Sequence, residues 1–342
     1  MYKHFYNLIK NMPLAEEAYF IFQQYNSWSN FNKRNVSDAP TSIMIEITNQ
    51  CNLDCIMCAT QKGTRKKGNM DLSLYKEIIL QASAIGVKVA TLHTIGEALL
   101  HPDVVEMIGF ATEKGLITNI TTNGQLLTEE KSRKLLEAGL RTLRVSVEGA
   151  TEETYSKIRR GGSLEKLINN LRTFKRIKEE KRYNVNIIIN SILMKENEQE
   201  IAAFYKLFVP MVDTPNNIFF NNLGDLGGKI DMEKHALEKP NYRIKNPCST
   251  LWSTLHVQWD GNVSACCVDF DGKLIIGDLQ NKSLKEIWEG NQLQQFRKYH
   301  LERTPEKMPL CENCSTIRVR MLDEYRMYKF NQKWRKNYLN HK

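Results

Sequence analysis

The chain has 342 residues, 42% hydrophobic and 25% charged, with eight cysteines and a formal net charge of +9. This length and composition provide for one large globular unit plus a small one, and exclude a disordered or collagen-like chain. No apolar run reaches the roughly 20 residues that span a bilayer and no signal-peptide pattern opens the sequence. A reducing, cytoplasmic setting is therefore expected, where crowded thiols bind metal rather than form disulfides.

Residues 1–41 are rich in aromatics (Phe5, Tyr6, Tyr19, Phe20, Phe22, Tyr25, Trp28) and read as an N-terminal helical extension. From Ser42 a strand–helix rhythm begins. Strands are expected over 43–47, 87–92, 116–120, 141–147, 185–193 and 217–220. Helices are expected over 73–84, 102–114, 129–138, 164–178 and 197–208, with Asn197 and Glu200 as a capping pair for the last. Six such alternations predict an α/β fold, a partial (β/α)6 TIM-like barrel over residues 42–235. In barrels of this kind, reactive groups gather on the loops that follow strand C-termini. Residues 222–247, with Gly224, Gly227, Gly228, Pro240 and Pro247, read as a linker into a small α+β unit over 236–320. There Asp260-Gly261 should turn a hairpin and 283–288 should form a short helix. Residues 321–342 read as a basic C-terminal helix. Residues 317–342 carry eight Lys/Arg against two Asp/Glu, most of the net charge, and read as a solvated face rather than a nucleic-acid interface.

The loop after the first strand holds Cys51, Cys55 and Cys58 within eight residues. Three thiolates at this spacing can wrap three irons of a cube-shaped cluster and leave one iron open. A mononuclear zinc would need a fourth donor, which the loop lacks. A second thiol set follows much later: Cys248, the tandem Cys266-Cys267, and the knuckle Cys311-Glu-Asn-Cys314. Between them, Lys62, Arg65, Lys66 and Lys67 form a cationic loop, either a recruiter of an anionic substrate or a flexible solvated segment.

The CxxxCxxC spacing resembles the signature of the radical S-adenosylmethionine (SAM) enzymes. The stretch His93-Thr-Ile-Gly-Glu-Ala-Leu-Leu-His-Pro102 resembles that family's Gly-Gly-Glu-Pro motif; Gly96 and Glu97 match, while Ile95 and Ala98 depart. Thr122-Asn123-Gly124 resembles the family's third-strand segment. Arg144 to Tyr155, followed by Ile158-Arg-Arg-Gly-Gly162, resembles its fourth-strand segment, with Glu148 where Asp is commoner. The resemblance covers about residues 42–320. It implies that Cys51, Cys55 and Cys58 hold a SAM-binding 4Fe-4S cluster and that Gly96 and Glu97 meet the methionine ammonium. It further implies Asn123, Ser146, Arg159 and Asn190 as SAM contacts, Arg159 toward the carboxylate.

The order of the later cysteines around the hairpin is similar to the SPASM and shorter "twitch" modules of the same family. That implies a second, auxiliary 4Fe-4S cluster on Cys248, Cys266, Cys311 and Cys314; a four-cysteine zinc staple is the alternative. Cys267 is left as an exchange ligand for Cys266, an inert thiol, or a hydrogen-atom donor. The implied activity is reductive cleavage of SAM to a 5′-deoxyadenosyl radical, which abstracts hydrogen from substrate. Three outcomes stay open. One is two-electron oxidation of a sugar or aminocyclitol alcohol assisted by the auxiliary cluster. The others are epimerisation with Cys267 returning hydrogen, and peptide maturation. Implied partners are a carbohydrate-like, anionic small molecule or a peptide, and an electron donor such as flavodoxin or ferredoxin. No membrane partner is implied. An iron-sulfur or zinc binding protein without SAM chemistry is the non-enzyme alternative.

Overall fold

The computed structural model describes residues 37–238, 246–312, 314–318 and 321–340. The expected extension over 1–41 lies almost wholly outside them. Six parallel strands stand side by side in chain order: β1 (Ser42–Ile45), β2 (Val89–Thr91), β3 (Ile117–Thr122), β4 (Thr142–Ser146), β5 (Asn186–Leu193) and β6 (Ile218–Asn222). Helices alternate with them: α1 (Leu72–Ala84), α2 (Val104–Glu113), α3 (Glu129–Glu137), α4 (Glu152–Ile158), α5 (Leu164–Glu180) and α6 (Ile201–Phe208). The result is the expected partial (β/α)6 barrel.

Local rules explain the helices. In α1 the side chain of Asp71 accepts from Ser73 N, and Tyr75, Ile78, Ile79 and Ala82 form the buried stripe. Thr128, Thr151 and Ser163 cap α3, α4 and α5 in the same way. The strands alternate. Leu143 and Val145 of β4 join the core shared with the helices, while Arg144 and Ser146 occupy the opposite face, toward the barrel interior. That interior face is polar on several strands, a property that matters below.

Two expectations fail on α6. Asn197 and Glu200 do not cap it; the helix is entered through a 3-10 turn over Glu198–Glu200 with no side-chain cap. Asn197 Nδ2 instead donates to the carbonyls of Glu148 and Ile192. The Glu200 carboxylate accepts from Ala150 N and from the hydroxyls of Thr151 and Thr154, each at 2.6 Å, fastening the start of α4. Tertiary donors outcompeted the local cap because they are charge-assisted and more numerous.

The sheet does not stop at β1. Strand β7 (Thr254–Val257) pairs parallel with β1, Met44 beside His256, and β8 (Asn262–Ser264) and β9 (Ile275–Asp278) continue it antiparallel. The cysteine-rich segment is thus joined to the barrel by backbone hydrogen bonds. A capping box on Ser283 and Glu286 starts α7 (Leu284–Glu289), and α8 (Asn291–Leu301) follows.

At the other edge, α9 (Met321–Asn340) covers β6. Asn331 Oδ1 accepts from Phe220 N at 2.9 Å and its Nδ2 donates to Phe220 O at 3.1 Å, so one side chain stands in for a missing neighbouring strand. Arg335 donates to the carbonyls of Asn216 and Ile218, and Phe330 and Trp334 stack among Tyr205 and Phe220. The reading of this helix as merely solvated is corrected: Arg335 is buried against β6, while Lys329, Lys333 and Lys336 are exposed. No helix among the described residues is long and apolar enough to cross a membrane.

Candidate active site

Cys51, Cys55 and Cys58 line a cavity of about 250 Å3 at the C-terminal ends of the strands, with Thr60, His93, Gly96, Glu97, Asn123, Ser146 and Arg159 also in its wall. The cysteine loop is held from three sides. Asp54–Cys55 pairs antiparallel with Arg159–Arg160, Cys55 opposite Arg159. Glu97 N donates to Gln50 O at 2.8 Å. Asn123 Nδ2 donates to Asn52 Oδ1 at 2.9 Å.

Gly96 has φ +91, and a Cβ built there would lie 2.6 Å from Thr48 O and 2.7 Å from Gln50 O. Glycine is therefore demanded by the approach of this loop to the cysteine loop's own backbone. Glu97 is 2% exposed. Its carboxylate accepts from Leu99 N at 3.0 Å, Thr122 Oγ1 at 2.7 Å and Asn123 N at 2.7 Å, and burial raises its pKa against those donors. It thus joins the second and third strand loops; these donors occupy the carboxylate that the resemblance assigns to an ammonium.

Arg159 is buried, pairs with Glu148 through Nε, and reaches Cys55 Sγ with Nη1 at 3.8 Å. Burial opposes its charge, but Glu148 and Cys55 more than compensate and its pKa is raised. Burial pushes the Cys55 thiol up to about 12, an effect Arg159 opposes. Thr60 N donates to Cys58 Sγ at 3.4 Å. Three thiols on one wall, with N–H donors on two of them, fit a thiolate-held cluster, and binding would displace their protons. Ser146 and Asn123 line the cavity. Asn190 does not, although it pairs in register with Ser146; its Oδ1 accepts from Arg144 Nη1 at 3.2 Å.

Three of the four cations of the Lys62–Lys67 loop are tied to the protein. Arg65 makes a two-pronged pair with buried Glu46, at 2.8 and 2.6 Å, and donates to Phe270 O. Lys67 Nζ donates to the carbonyls of Asn49 and Thr60, and Lys62 Nζ to Lys229 O. Arg65 and Lys67 thus brace the cysteine loop, while Lys66 is exposed.

The roof of the cavity is the finding that sequence reasoning missed. Leu226, Val268 and Phe270 line it, brought there by the loop after β6 and by the segment that follows Cys266-Cys267. Leu226 sits at φ +50, a strained value for leucine, beside Asp225, whose Oδ1 accepts from Ser315 N and Oγ next to Cys314. Four of the late thiols lie within electrostatic reach of one another. Cys248 is within electrostatic reach of Cys267 and Cys314, and Cys266 within reach of Cys267 and Cys248. The hydrogen bond between the tandem thiols pushes Cys266 up and Cys267 down. An all-thiol donor set of this size fits an iron-sulfur cluster. Cys267 is not in the cavity wall.

A barrel mouth carrying three thiols, roofed by a thiol-rich cap, defines an iron-sulfur enzyme whose first cluster keeps a site for a second ligand. A family model described as "Radical SAM superfamily" matches residues 45–208, and one described as "Iron-sulfur cluster-binding domain" (SPASM) matches residues 248–315. The chain is 32% identical over 336 residues to an AdoMet-dependent heme synthase of Methanosarcina barkeri, covering 83% of this chain and 93% of that one. It is 24% identical to the S-adenosyl-L-methionine-dependent 2-deoxy-scyllo-inosamine dehydrogenase of Niallia circulans, covering 83% and 96%. Streptococcus suis SuiB bound to precursor peptide SuiA shares the fold, with a TM-score of 0.64 and 15% identity over 89% of this chain and 77% of that one. This chain belongs to the radical SAM superfamily and carries a C-terminal SPASM-type auxiliary domain. It is a radical SAM enzyme that uses SAM, a 4Fe-4S cluster and auxiliary iron-sulfur.

Proposed function

We propose that the enzyme carries out a two-electron dehydrogenation of an alcohol on a polar small molecule of the sugar or aminocyclitol type. The supporting observation is the shared wall: Val268 and Phe270, directly after Cys266-Cys267, line the same cavity as Cys51, Cys55 and Cys58. The likeness in sequence to the 2-deoxy-scyllo-inosamine dehydrogenase adds to it.

When bound, the first cluster with SAM would supply the radical chemistry that takes hydrogen from substrate, and the auxiliary cluster would supply a one-electron acceptor. The chain's own residues do the positioning. Cys51, Cys55 and Cys58 would hold the first cluster, and Cys248, Cys266, Cys311 and Cys314 the second. Gly96 and Glu97 order the loop over which the methionyl group would lie, with Ser146 and Asn123 as its polar contacts. Arg159 stabilises the Cys55 thiolate. The apolar roof of Ile95, Leu226, Val268 and Phe270 excludes water from the chamber. An external donor such as flavodoxin or ferredoxin provides electrons. Cys267 lies off the cavity wall, which removes the support for epimerisation.

The test is anaerobic incubation of iron-reconstituted enzyme with SAM, reductant and candidate polyols. We expect product lighter than substrate by two hydrogens, matched by 5′-deoxyadenosine. Product of unchanged mass sinks the dehydrogenase reading.

A further inference from the structure

The floor of the barrel carries polar groups that the SAM site does not use. Register places them in two successive layers: Thr121 pairs with Arg144 in the upper one, and His256, Met44, Thr91 and Asn119 pair in turn across the one beneath. Strand alternation puts Arg144 on the same interior face as Ser146, one step below the cavity wall. The only polar contact of its guanidinium among the described residues is Asn190 Oδ1 at 3.2 Å, and no carboxylate pairs with it. His93 lines the cavity, close enough for its ring to feel the Arg144 charge, and its Nδ1 is buried without a partner. Asn119 Oδ1 and Gln258 Oε1 are buried acceptors without donors, and both ring nitrogens of His256 are unpartnered at 2% exposure.

A half-buried guanidinium without a counter-charge is costly, as is each orphaned polar atom. A natural barrel keeps such groups where a ligand completes them. We propose that Arg144 and His93 form an anion subsite in the barrel floor. It binds the carboxylate or phosphate of a hydroxyl-bearing substrate. The inference rests on the cavity being the substrate chamber, but its test reads binding, not turnover.

Thermal unfolding of the reconstituted holoenzyme is followed against inorganic phosphate and against acetate, with sodium chloride at matched ionic strength, with and without SAM. We expect a saturable rise in Tm for the wild type with at least one anion, the responding anion naming the group. Arg144→Gln should abolish the rise. Arg144→Lys should keep it at about tenfold weaker affinity, since the ammonium retains charge but lacks the planar fork. Without anion, Arg144→Gln should melt no lower than wild type, because it removes an uncompensated charge. No rise in the wild type, or an equal rise in wild type and Arg144→Gln, overturns the proposal. So does a loss of SAM affinity of about tenfold or more in Arg144→Gln, which would assign the guanidinium to the methionyl carboxylate.

Discussion

Arg159 stands with Nη1 3.8 Å from Cys55 Sγ, its Nε already held by Glu148. Neither contact is exposed to water, so charge at the cysteine loop depends on this arginine. Arg159→Gln should leave Glu148 buried and unpaired, costing about 3–5 kcal/mol in urea unfolding. Iron retention at the first site should fall in the same variant. Arg159→Gln combined with Glu148→Gln should recover most of the stability. A single variant as stable as wild type would show that the pair is not coupled.

Gly96→Ala should lower stability by about 1–3 kcal/mol, because the added carbon meets two carbonyls of the cysteine loop at a positive φ. SAM affinity, measured by equilibrium dialysis on reconstituted protein, should fall with it. Unchanged affinity would mean that the loop relaxes without moving the site.

Asn331→Ala removes both partners of the Phe220 backbone at a buried sheet edge. A loss of about 1–3 kcal/mol is expected in denaturant unfolding. Lys333→Ala, on the exposed face of the same helix, should change stability by no more than about 0.5 kcal/mol. Equal effects at the two positions would contradict the edge-cap role.

His256 is neutral and buried, its pKa lowered by burial from 6.5 to about 4. The unfolded chain therefore binds more protons between those values. The stability this group contributes is full above pH 6.5 and is lost as pH falls through about 4. The full effect is about 3 kcal/mol. His256→Asn should flatten the stability profile between pH 6.5 and 4. A variant profile parallel to wild type would place the acid sensitivity elsewhere.

Two four-iron clusters give about eight irons per chain. Cys266→Ala should lose about half of them, while Cys267→Ala should retain all. The reverse pattern would make Cys267 the ligand. About four irons plus one zinc in the wild type would make the second site a structural zinc.

Much of this enzyme is local information. The spacing of Cys51, Cys55 and Cys58, the strand–helix alternation and the pairing of Gly96 with Glu97 are all readable along the chain. They depend on a few neighbouring residues and on periods of 2 and 3.6. The α6 cap was misread because Glu200 found stronger donors fifty residues earlier, on the loop before α4. The anchoring of Arg65 was not legible because its partners, Glu46 and Phe270, are brought to it only by the fold.

The sequence by itself determined the cofactor chemistry and the barrel, since thiol spacing and side-chain periodicity act over a handful of residues. Only the tertiary structure decided that β7 lies against β1, that Phe270 roofs the cysteine loop, and that Asn331 seals β6. It also decided which polar strand residues face inward together. These contacts join positions tens to hundreds of residues apart, and alternation along a strand says that two faces differ, not which one encloses the substrate.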